Sequence, residues 1–113
     1  MKALELSLKY LDIFTSGRDW EGLRPSLSED FIFEGPFQRS DSADAYIQAP
    51  KADPPKDCTY TIMRTFEDES GACIVYQFSK PGVSAPMAQL FQAREGKITN
   101  IRLIFDGSAF DHS

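Results

Sequence analysis

Residues 85–106 decide the fold, and they read A-P-M-A-Q-L-F-Q-A-R-E-G-K-I-T-N-I-R-L-I-F-D. Two runs rich in strand-forming residues meet at Glu95 and Gly96. A glycine at the second loop position tolerates a positive φ, so this pair predicts a two-residue β-hairpin turn. If Arg94 and Lys97 close the turn, the pairing register of the whole hairpin follows from them.

That register divides the hairpin into two faces, because side chains alternate across a strand. One predicted face is strongly apolar and consists of Ala88, Leu90, Ile101, Leu103 and Phe105. The other face mixes apolar and polar groups, namely Met87, Gln89, Phe91, Asn100, Arg102 and Ile104. The first face belongs in a core. The second is too polar for a core and too apolar for ordinary surface.

Length and composition predict a single globular domain over residues 1–113. The hydrophobic fraction of 42% and the charged fraction of 26% are ordinary for such a domain. Twelve Lys and Arg against 17 Asp and Glu leave a net charge of −5. Binding to a phosphate backbone depends on clustered basic residues, and none are clustered here, so we expect neither a nucleic-acid partner nor an anionic membrane.

Localisation and metal binding give negative expectations. No apolar run approaches the roughly 20 residues that a spanning helix needs, and the first residues do not resemble a secretory signal, so we expect a cytoplasmic protein. Cys58 and Cys73 are not spaced as a metal-ligand pair, and His112 is the only histidine. We therefore expect no metal site and no cofactor.

The first half of the chain predicts two helices. Residues 3–16 place leucines and aromatic residues on one stripe, which is typical of an amphipathic helix, and Gly17 is positioned as its C-terminal cap. Asp19 is then predicted to cap a second, short helix. A broken strand follows, D-F-I-F-E-G-P-F, which must bend at its Gly-Pro pair.

The second half predicts a third helix and an antiparallel meander. Ser40 or Ser42 can cap the helix, which is expected to end before Pro50. Residues 57–66 and 72–79 are predicted strands joined by a hairpin, and the opening hairpin completes the sheet. This segregation of helices and strands predicts an α+β fold with helices packed on one face of the sheet.

Three motifs within this order carry a resemblance to a known family. They are G-R-D-W-E-G-L between the first helices, D-F-I-F-E-G-P in the broken strand and F-Q-A-R-E-G-K-I near the end. Together they resemble the nuclear transport factor 2-like (NTF2-like) superfamily, and its SnoaL-like branch most closely. The resemblance implies a cone-shaped, cystatin-like roll: three N-terminal helices on a curved, mostly antiparallel sheet, with a pocket inside and dimerisation through the convex side.

The resemblance also assigns roles to the two predicted faces. The mixed face would be convex and would form a homodimer interface. The apolar face would be concave and would line a pocket for a small apolar molecule. The predicted ligand-binding residues are Tyr10, Phe14, Trp20, Phe33, Tyr46, Tyr76, Ala88, Leu103 and Phe105. An ordinary hydrophobic core with tyrosine hydroxyls at its edge explains the same residues.

Ketosteroid isomerase is the best-understood enzyme of this fold, and its three polar groups can be compared position by position. Its tyrosine matches Tyr10, but its base falls on Gly35 and its protonated aspartate on Ala88. Two of the three groups are therefore missing, and no catalytic residue is assigned. Glu34 and Asp106 are the remaining carboxylates that an alternative chemistry would use.

Three functions remain open at this point. The favoured one is a small-molecule-binding protein of the SnoaL-like type that lacks ketosteroid isomerase chemistry. The second is a small enzyme of the cyclase, isomerase or dehydratase kind that uses a different acid or base. The third is a protein-interaction module that uses the sheet.

Overall fold

The computed structural model describes residues 3–36, 38–52 and 57–110. They form one curved sheet of six strands in the order β2-β1-β6-β5-β4-β3, with helices against one face. Strands β1 and β6 are parallel, and every other neighbouring pair is antiparallel. The predicted α+β architecture is confirmed.

The helices and strands have the following bounds. Helix α1 spans Ala3–Ser16, α2 Trp20–Leu23 and α3 Ala43–Ala52. Short 3-10 turns cover Arg24–Ser26 and Gly107–Phe110. The strands are β1 Leu27–Glu34, β2 Arg39–Ser40, β3 Thr59–Glu67, β4 Gly71–Lys80, β5 Val83–Arg94 and β6 Lys97–Ile104.

The end of α1 and the start of α2 differ in how well the sequence predicted them. Gly17 adopts φ 68° and its N–H bonds Ile13 O at 3.0 Å, so the predicted glycine cap is confirmed. Asp19 stands at the predicted N-cap of α2, but its backbone lies in the left-handed region at φ 62°. Its side chain makes no capping hydrogen bond to the helix. Instead its backbone carbonyl accepts from Gly22 and Leu23, so the predicted side-chain cap is wrong.

Helix α3 begins as predicted and ends later. The Ser42 hydroxyl accepts a hydrogen bond from Ala45 N at 3.2 Å, which selects Ser42 over Ser40 as the cap. The helix then continues past Pro50 to Ala52, so the predicted end is three residues short of the observed one.

The turn of the β5–β6 hairpin is the one that the sequence predicts. Glu95 and Gly96 adopt φ 54° and 76°, and Arg94 pairs with Lys97 across them. Beyond Ala93 and Ile98 the register shifts, because Thr99 is paired with no residue of β5 and forms a bulge. From that point on each β5 residue faces a β6 residue one position later than the turn alone predicts.

The bulge reverses the predicted faces of β5. Met87 and Phe91 are 7% and 2% exposed, on the side of the helices, whereas Leu90 is 42% exposed on the opposite side. Gln89 is also inside, and Ala88 lies outside with Leu90. A slip of one residue moves every side chain to the other face, so the face prediction is wrong for β5. It is correct for β6, where Ile101 is inside and Ile104 outside.

We call the side that carries the helices the inner face of the sheet, and the opposite side its outer face. The core lies between α1, α2, α3 and the inner face. Its fully buried members include Leu23, Leu27, Phe31, Ile74, Ile98 and Ile101.

Candidate functional site

Three tyrosines from three separate elements meet one glutamine on the inner face. Tyr10 comes from α1, Tyr46 from α3, Tyr76 from β4 and Gln89 from β5. None of the four residues is more than 4% exposed. We call these four residues the tyrosine cluster.

The local sequence explains why each of these side chains points inward. In α1, Leu6, Tyr10 and Ile13 follow the i, i+4, i+7 spacing of one helix face, and all three are buried. In β5, Gln89 lies between Met87 and Phe91 in strict alternation, so it shares their buried face although it is polar.

Hydrogen bonds connect the cluster internally. The hydroxyls of Tyr10 and Tyr46 are hydrogen-bonded to each other. The Tyr76 hydroxyl donates to Gln89 Oε1 at 2.7 Å. The Gln89 amide also bonds the Tyr10 hydroxyl. Polar groups that are buried this deeply are stable only when they are paired, and the pairing here holds α1, α3, β4 and β5 together.

Burial keeps the cluster protonated. Loss of solvent raises the pKa of Tyr10 to about 12, although hydrogen bonds from Tyr46 and Gln89 oppose that rise. Burial likewise raises the pKa of Tyr46 and of Tyr76 well above the ordinary tyrosine value. At neutral pH the cluster therefore offers hydroxyl protons for donation and no anionic oxygen.

Aromatic rings surround the hydroxyls. Phe33 stacks on Tyr46 with ring centroids 4.7 Å apart, and Phe31 lies at 5.3 Å from the same ring. Phe91 meets Tyr10 edge to face at 5.5 Å. Donors in such a dry setting interact more strongly with an acceptor than they would in water.

The two carboxylates considered for catalysis lie away from the cluster. Glu34 pairs with Arg102 at 3.1 Å on the outer face. Asp106 accepts hydrogen bonds from the backbone and hydroxyl of Ser108 at 3.0 and 2.7 Å, and these bonds lower its pKa. Asp106 thus stabilises a turn.

A third carboxylate lies at the edge of the core. The Tyr60 hydroxyl on β3 donates to Asp12 Oδ1 on α1 at 2.5 Å, and the Tyr60 ring meets Tyr76 edge to face at 6.1 Å. Partial burial and the neighbouring Asp12 raise the pKa of Tyr60 to about 12. The contact between the two rings is not a hydrogen bond, so it does not extend the Asp12–Tyr60 hydrogen bond into the cluster.

The described residues contain neither a cluster of metal ligands nor a helix that could cross a membrane. No group of three or more His, Cys, Asp or Glu side chains in residues 3–36, 38–52 and 57–110 is arranged to hold a metal ion. Within the same ranges, no helix combines the length and the apolar character that crossing a bilayer requires. His112 lies outside the described residues.

The family model of the SnoaL-like domain matches residues 8–101. The chain belongs to the SnoaL-like domain family. No curated protein sequence matches it. Known proteins of this fold include ligand-binding and isomerase-type members.

Solved structures show the same fold at low sequence identity. An NTF2-like protein of unknown function from Cytophaga hutchinsonii has a TM-score of 0.82 at 19% identity, over 97% of this chain and 95% of that one. A protein from Kribbella flavida has a TM-score of 0.81 at 27% sequence identity, over 96% of this chain and 90% of that one. An LEH-like epoxide hydrolase from M. tuberculosis has a TM-score of 0.79 at 16% sequence identity, over 95% of this chain and 84% of that one. The predicted NTF2-like fold is confirmed.

This SnoaL-like domain departs from ketosteroid isomerase differently than the sequence suggested. Ala88 was matched to the protonated aspartate, but it lies on the outer face, and its inward neighbours are Met87 and Gln89. Gly35 was matched to the base. A Cβ there would lie 3.2 Å from the Phe33 ring and 3.7 Å from Leu103, so the core already occupies that space.

The SnoaL-like domain brings most of the predicted ligand-binding residues together. Ala88 is the exception, because the bulge turns it outward. The others belong to one core: Tyr10, Trp20, Phe33, Tyr46 and Tyr76 are buried, and Phe14, Leu103 and Phe105 are partly buried against them. Their role in binding stays a prediction.

The sequence analysis predicted Met87, Gln89 and Phe91 at the dimer interface, but these side chains are buried on the inner face of the sheet. A signal was available in β5 itself. Over its full length one parity reads V-A-M-Q-F-A and the other S-P-A-L-Q-R, so the first is clearly the more apolar. Residues 87–91 alone are too few to show this difference.

The outer face carries a patch of exposed apolar side chains. Phe66, Leu90 and Ile104 are 52%, 42% and 50% exposed, and Cys73 lies between Phe66 and Leu90 across the strands. We call Phe66, Cys73, Leu90 and Ile104 the outer patch. Charged groups border it: Arg64 lies 5.4 Å over the Phe66 ring, and Glu34 and Arg102 form their ion pair beside Leu90.

The predicted interface residues therefore divide into two groups. Asn100, Arg102 and Ile104 lie on the outer face, as predicted. Met87, Gln89 and Phe91 are buried within the single chain and cannot contact a partner.

Proposed function

We propose that this SnoaL-like domain binds a small, uncharged, mostly apolar molecule between its helices and the inner face of the sheet. The tyrosine cluster would orient one polar atom of that molecule by hydrogen bonding. The observation that carries the proposal is the group of three buried tyrosine hydroxyls and one amide inside an aromatic shell. Sites of this kind combine apolar walls with a few convergent polar groups.

The charge state of the cluster supports a neutral ligand. Its tyrosines hold raised pKa values, and no Lys, Arg or His belongs to the buried core of the described residues. A carboxylate would therefore enter without a counter-ion, and burying an unpaired charge is strongly unfavourable.

The same cluster favours binding over proton transfer. A cyclase, isomerase or dehydratase needs an acid or base in contact with its substrate, with a pKa suited to neutral pH. Asp12, Glu34 and Asp106 are engaged elsewhere, as described above. The buried tyrosines have pKa values too high for general-base catalysis.

Two nearly isosteric probes test the proposal. 2-Acetylnaphthalene is neutral, whereas 2-naphthoate has a carboxylate in place of the acetyl group. In protein-observed NMR titrations we expect saturable 1:1 binding of the ketone and binding of the carboxylate that is at least about tenfold weaker. Tyr46→Phe should weaken binding of the ketone, and Tyr60→Phe, at the edge of the core, serves as its matched control.

Two results would overturn the proposal. One is the absence of saturable binding for either probe up to its solubility limit. The other is binding of 2-naphthoate as tight as that of the ketone, since this would reveal a cationic site that the cluster does not provide.

We further propose that two copies associate through the outer patch. Phe66, Leu90 and Ile104 expose apolar area on the same face of the sheet, with charged residues at the border. An apolar centre with a polar rim is typical of protein–protein interfaces, and a two-fold symmetric dimer would bury the patch against itself.

A pair of variants tests this association. Ile104→Asp places a charge in the outer patch, whereas Met63→Asp changes a side chain that is 57% exposed on the β3 edge. Light scattering should give a dimer for the wild type and for Met63→Asp, and a monomer for Ile104→Asp. A monomeric wild type would refute self-association and would leave the patch to a different protein.

A further inference from the structure

Trp20 presents the one buried side-chain nitrogen or oxygen without a hydrogen-bond partner in the part of the chain that the structure describes. The residue is 5% exposed, and its indole Nε1 contacts no acceptor. Buried donors are almost always paired, and one without an acceptor destabilises the fold. Such a donor therefore requires an explanation, and an acceptor brought by a ligand is one.

Trp20 is separated from the tyrosine cluster by one aromatic ring. Its indole meets Phe14 edge to face, with ring centroids 5.9 Å apart. Phe14 in turn stacks on Tyr10, also at 5.9 Å. All three rings belong to the same core. A molecule with the dimensions of two fused rings is long enough to contact both Trp20 and the cluster.

Two hydrogen-bond donors in this part of the core are not used by the hydrogen bonds described above. The Tyr76 hydroxyl proton is used, because it goes to the Gln89 side-chain oxygen. Tyr10 and Tyr46 have two hydroxyl protons between them, and only one of these can lie between their two oxygens. The second hydroxyl proton and the Trp20 N–H are therefore both available to an outside acceptor.

We propose that the Trp20 indole N–H donates a hydrogen bond to an acceptor oxygen of the bound molecule. The ligand class is then an uncharged molecule with carbonyl or ether oxygens and no hydroxyl or amine at the end that meets Trp20. This inference rests on the function proposed above and adds to it both the chemical class of the ligand and a residue that selects it.

The chain offers a direct readout, because Trp20 is its only tryptophan. The protein consequently gives a single indole N–H signal in a ¹H–¹⁵N spectrum. Two probes of similar shape are compared: 2,6-diacetylnaphthalene, which has an acceptor oxygen at each end, and 2-acetyl-6-ethylnaphthalene, which has an acceptor oxygen at one end only and can give it to the tyrosine cluster. We expect both to bind, the diketone about tenfold more tightly, and only the diketone to move the indole proton downfield.

A replacement at Trp20 tests whether this residue provides the donor. Benzothienylalanine exchanges the indole N–H for sulfur at nearly constant shape, and in a tryptophan auxotroph it would enter this chain at position 20 alone. The preference for the diketone over the monoketone should then fall to about twofold or less. Trp20→Phe should have the same effect, and Phe14→Leu, which keeps the indole, should retain the preference.

The outcomes separate the two proposals. If both probes bind with equal affinity and the indole signal does not shift downfield with the diketone, the Trp20 inference is wrong while the binding function stands. If the benzothienylalanine protein keeps the full preference, the donor is another residue and the inference again fails. If neither probe binds the wild type, the binding function is refuted and the Trp20 inference with it.

Discussion

The two faces of the sheet are both mixtures of apolar and polar residues, yet they treat their polar groups in opposite ways. The inner face buries Gln89 and the tyrosine hydroxyls and pairs them with one another. The outer face leaves Arg102 and Glu34 in water and exposes Leu90 and Ile104 beside them.

The comparison shows that composition alone does not identify the face that belongs to the core. What distinguishes the inner face is that every member of the tyrosine cluster has a hydrogen-bond partner. This pairing offsets the free energy that its polar groups lose when they leave water. The outer face has apolar groups without a cover, which is typical of a surface that meets another protein.

The largest expected effect separates two neighbours on β5. Phe91→Ala should lower the free energy of unfolding by about 3–5 kcal/mol, because it leaves a cavity beside Tyr10. Leu90→Ala should cost less than about 1 kcal/mol in the monomer, because the side chain is already 42% exposed. Urea denaturation of both variants measures the difference. Equal losses, or a larger loss for Leu90→Ala, would mean that the faces of β5 are assigned incorrectly.

The next effect concerns alkaline pH. The pKa of Tyr10 is raised from 10.0 to about 12 in the folded protein, so its stabilising contribution is complete below pH 10 and is lost as pH rises towards 12. Across that interval stability should fall by about 1.4 kcal/mol per pH unit for each such tyrosine.

Denaturation curves at pH 9, 10 and 11 measure this loss, and absorbance at 295 nm follows tyrosine ionisation. In Tyr10→Phe the free energy of unfolding should fall less steeply with pH, by the slope that corresponds to about one proton. An unchanged slope in that variant would show that Tyr10 ionises equally easily in the folded and unfolded chains.

A smaller effect tests the pairing inside the cluster. Gln89→Leu removes the acceptor of the Tyr76 hydroxyl and should cost about 1–3 kcal/mol, because it leaves that hydroxyl buried and unpaired. The double variant with Tyr76→Phe should recover part of this loss, since neither partner then remains unsatisfied. Strictly additive losses in the denaturation cycle would argue that the two side chains do not interact.

The smallest effect is expected at the border of the outer patch. Glu34→Gln breaks the ion pair with Arg102, in which both side chains are more than a third exposed. Exposed pairs of this kind contribute about 0–1 kcal/mol, so the denaturation midpoint should hardly change. A loss as large as that for Phe91→Ala would indicate that Glu34 has a role in the core.

Local patterns in the sequence predicted the elements themselves. The Glu95-Gly96 turn, the Gly17 cap and the amphipathic stripe of α1 each depend on a few neighbouring residues, and each is confirmed. Tyr10, Tyr46 and Tyr76 could be predicted to face inward because helical spacing and strand alternation fix their sides.

The register beyond the turn could not be predicted in the same way. The bulge at Thr99 depends on how β6 pairs with its neighbours, and no residue near it is diagnostic of a bulge. For the same reason Gln89 was not predicted to be the partner of Tyr76. Extending the alternation over all of β5 would have corrected its face, although it would not have located the bulge.

A methyl-resolved NMR titration with 2-acetylnaphthalene compares the two faces most directly. Met87 and Ile101 report on the inner face, and Leu90 and Ile104 on the outer face. We predict shifts that saturate at one equivalent and are largest at Met87 and Ile101. Shifts confined to Leu90 and Ile104 would contradict the central claim that the inner face, and not the outer one, receives the ligand.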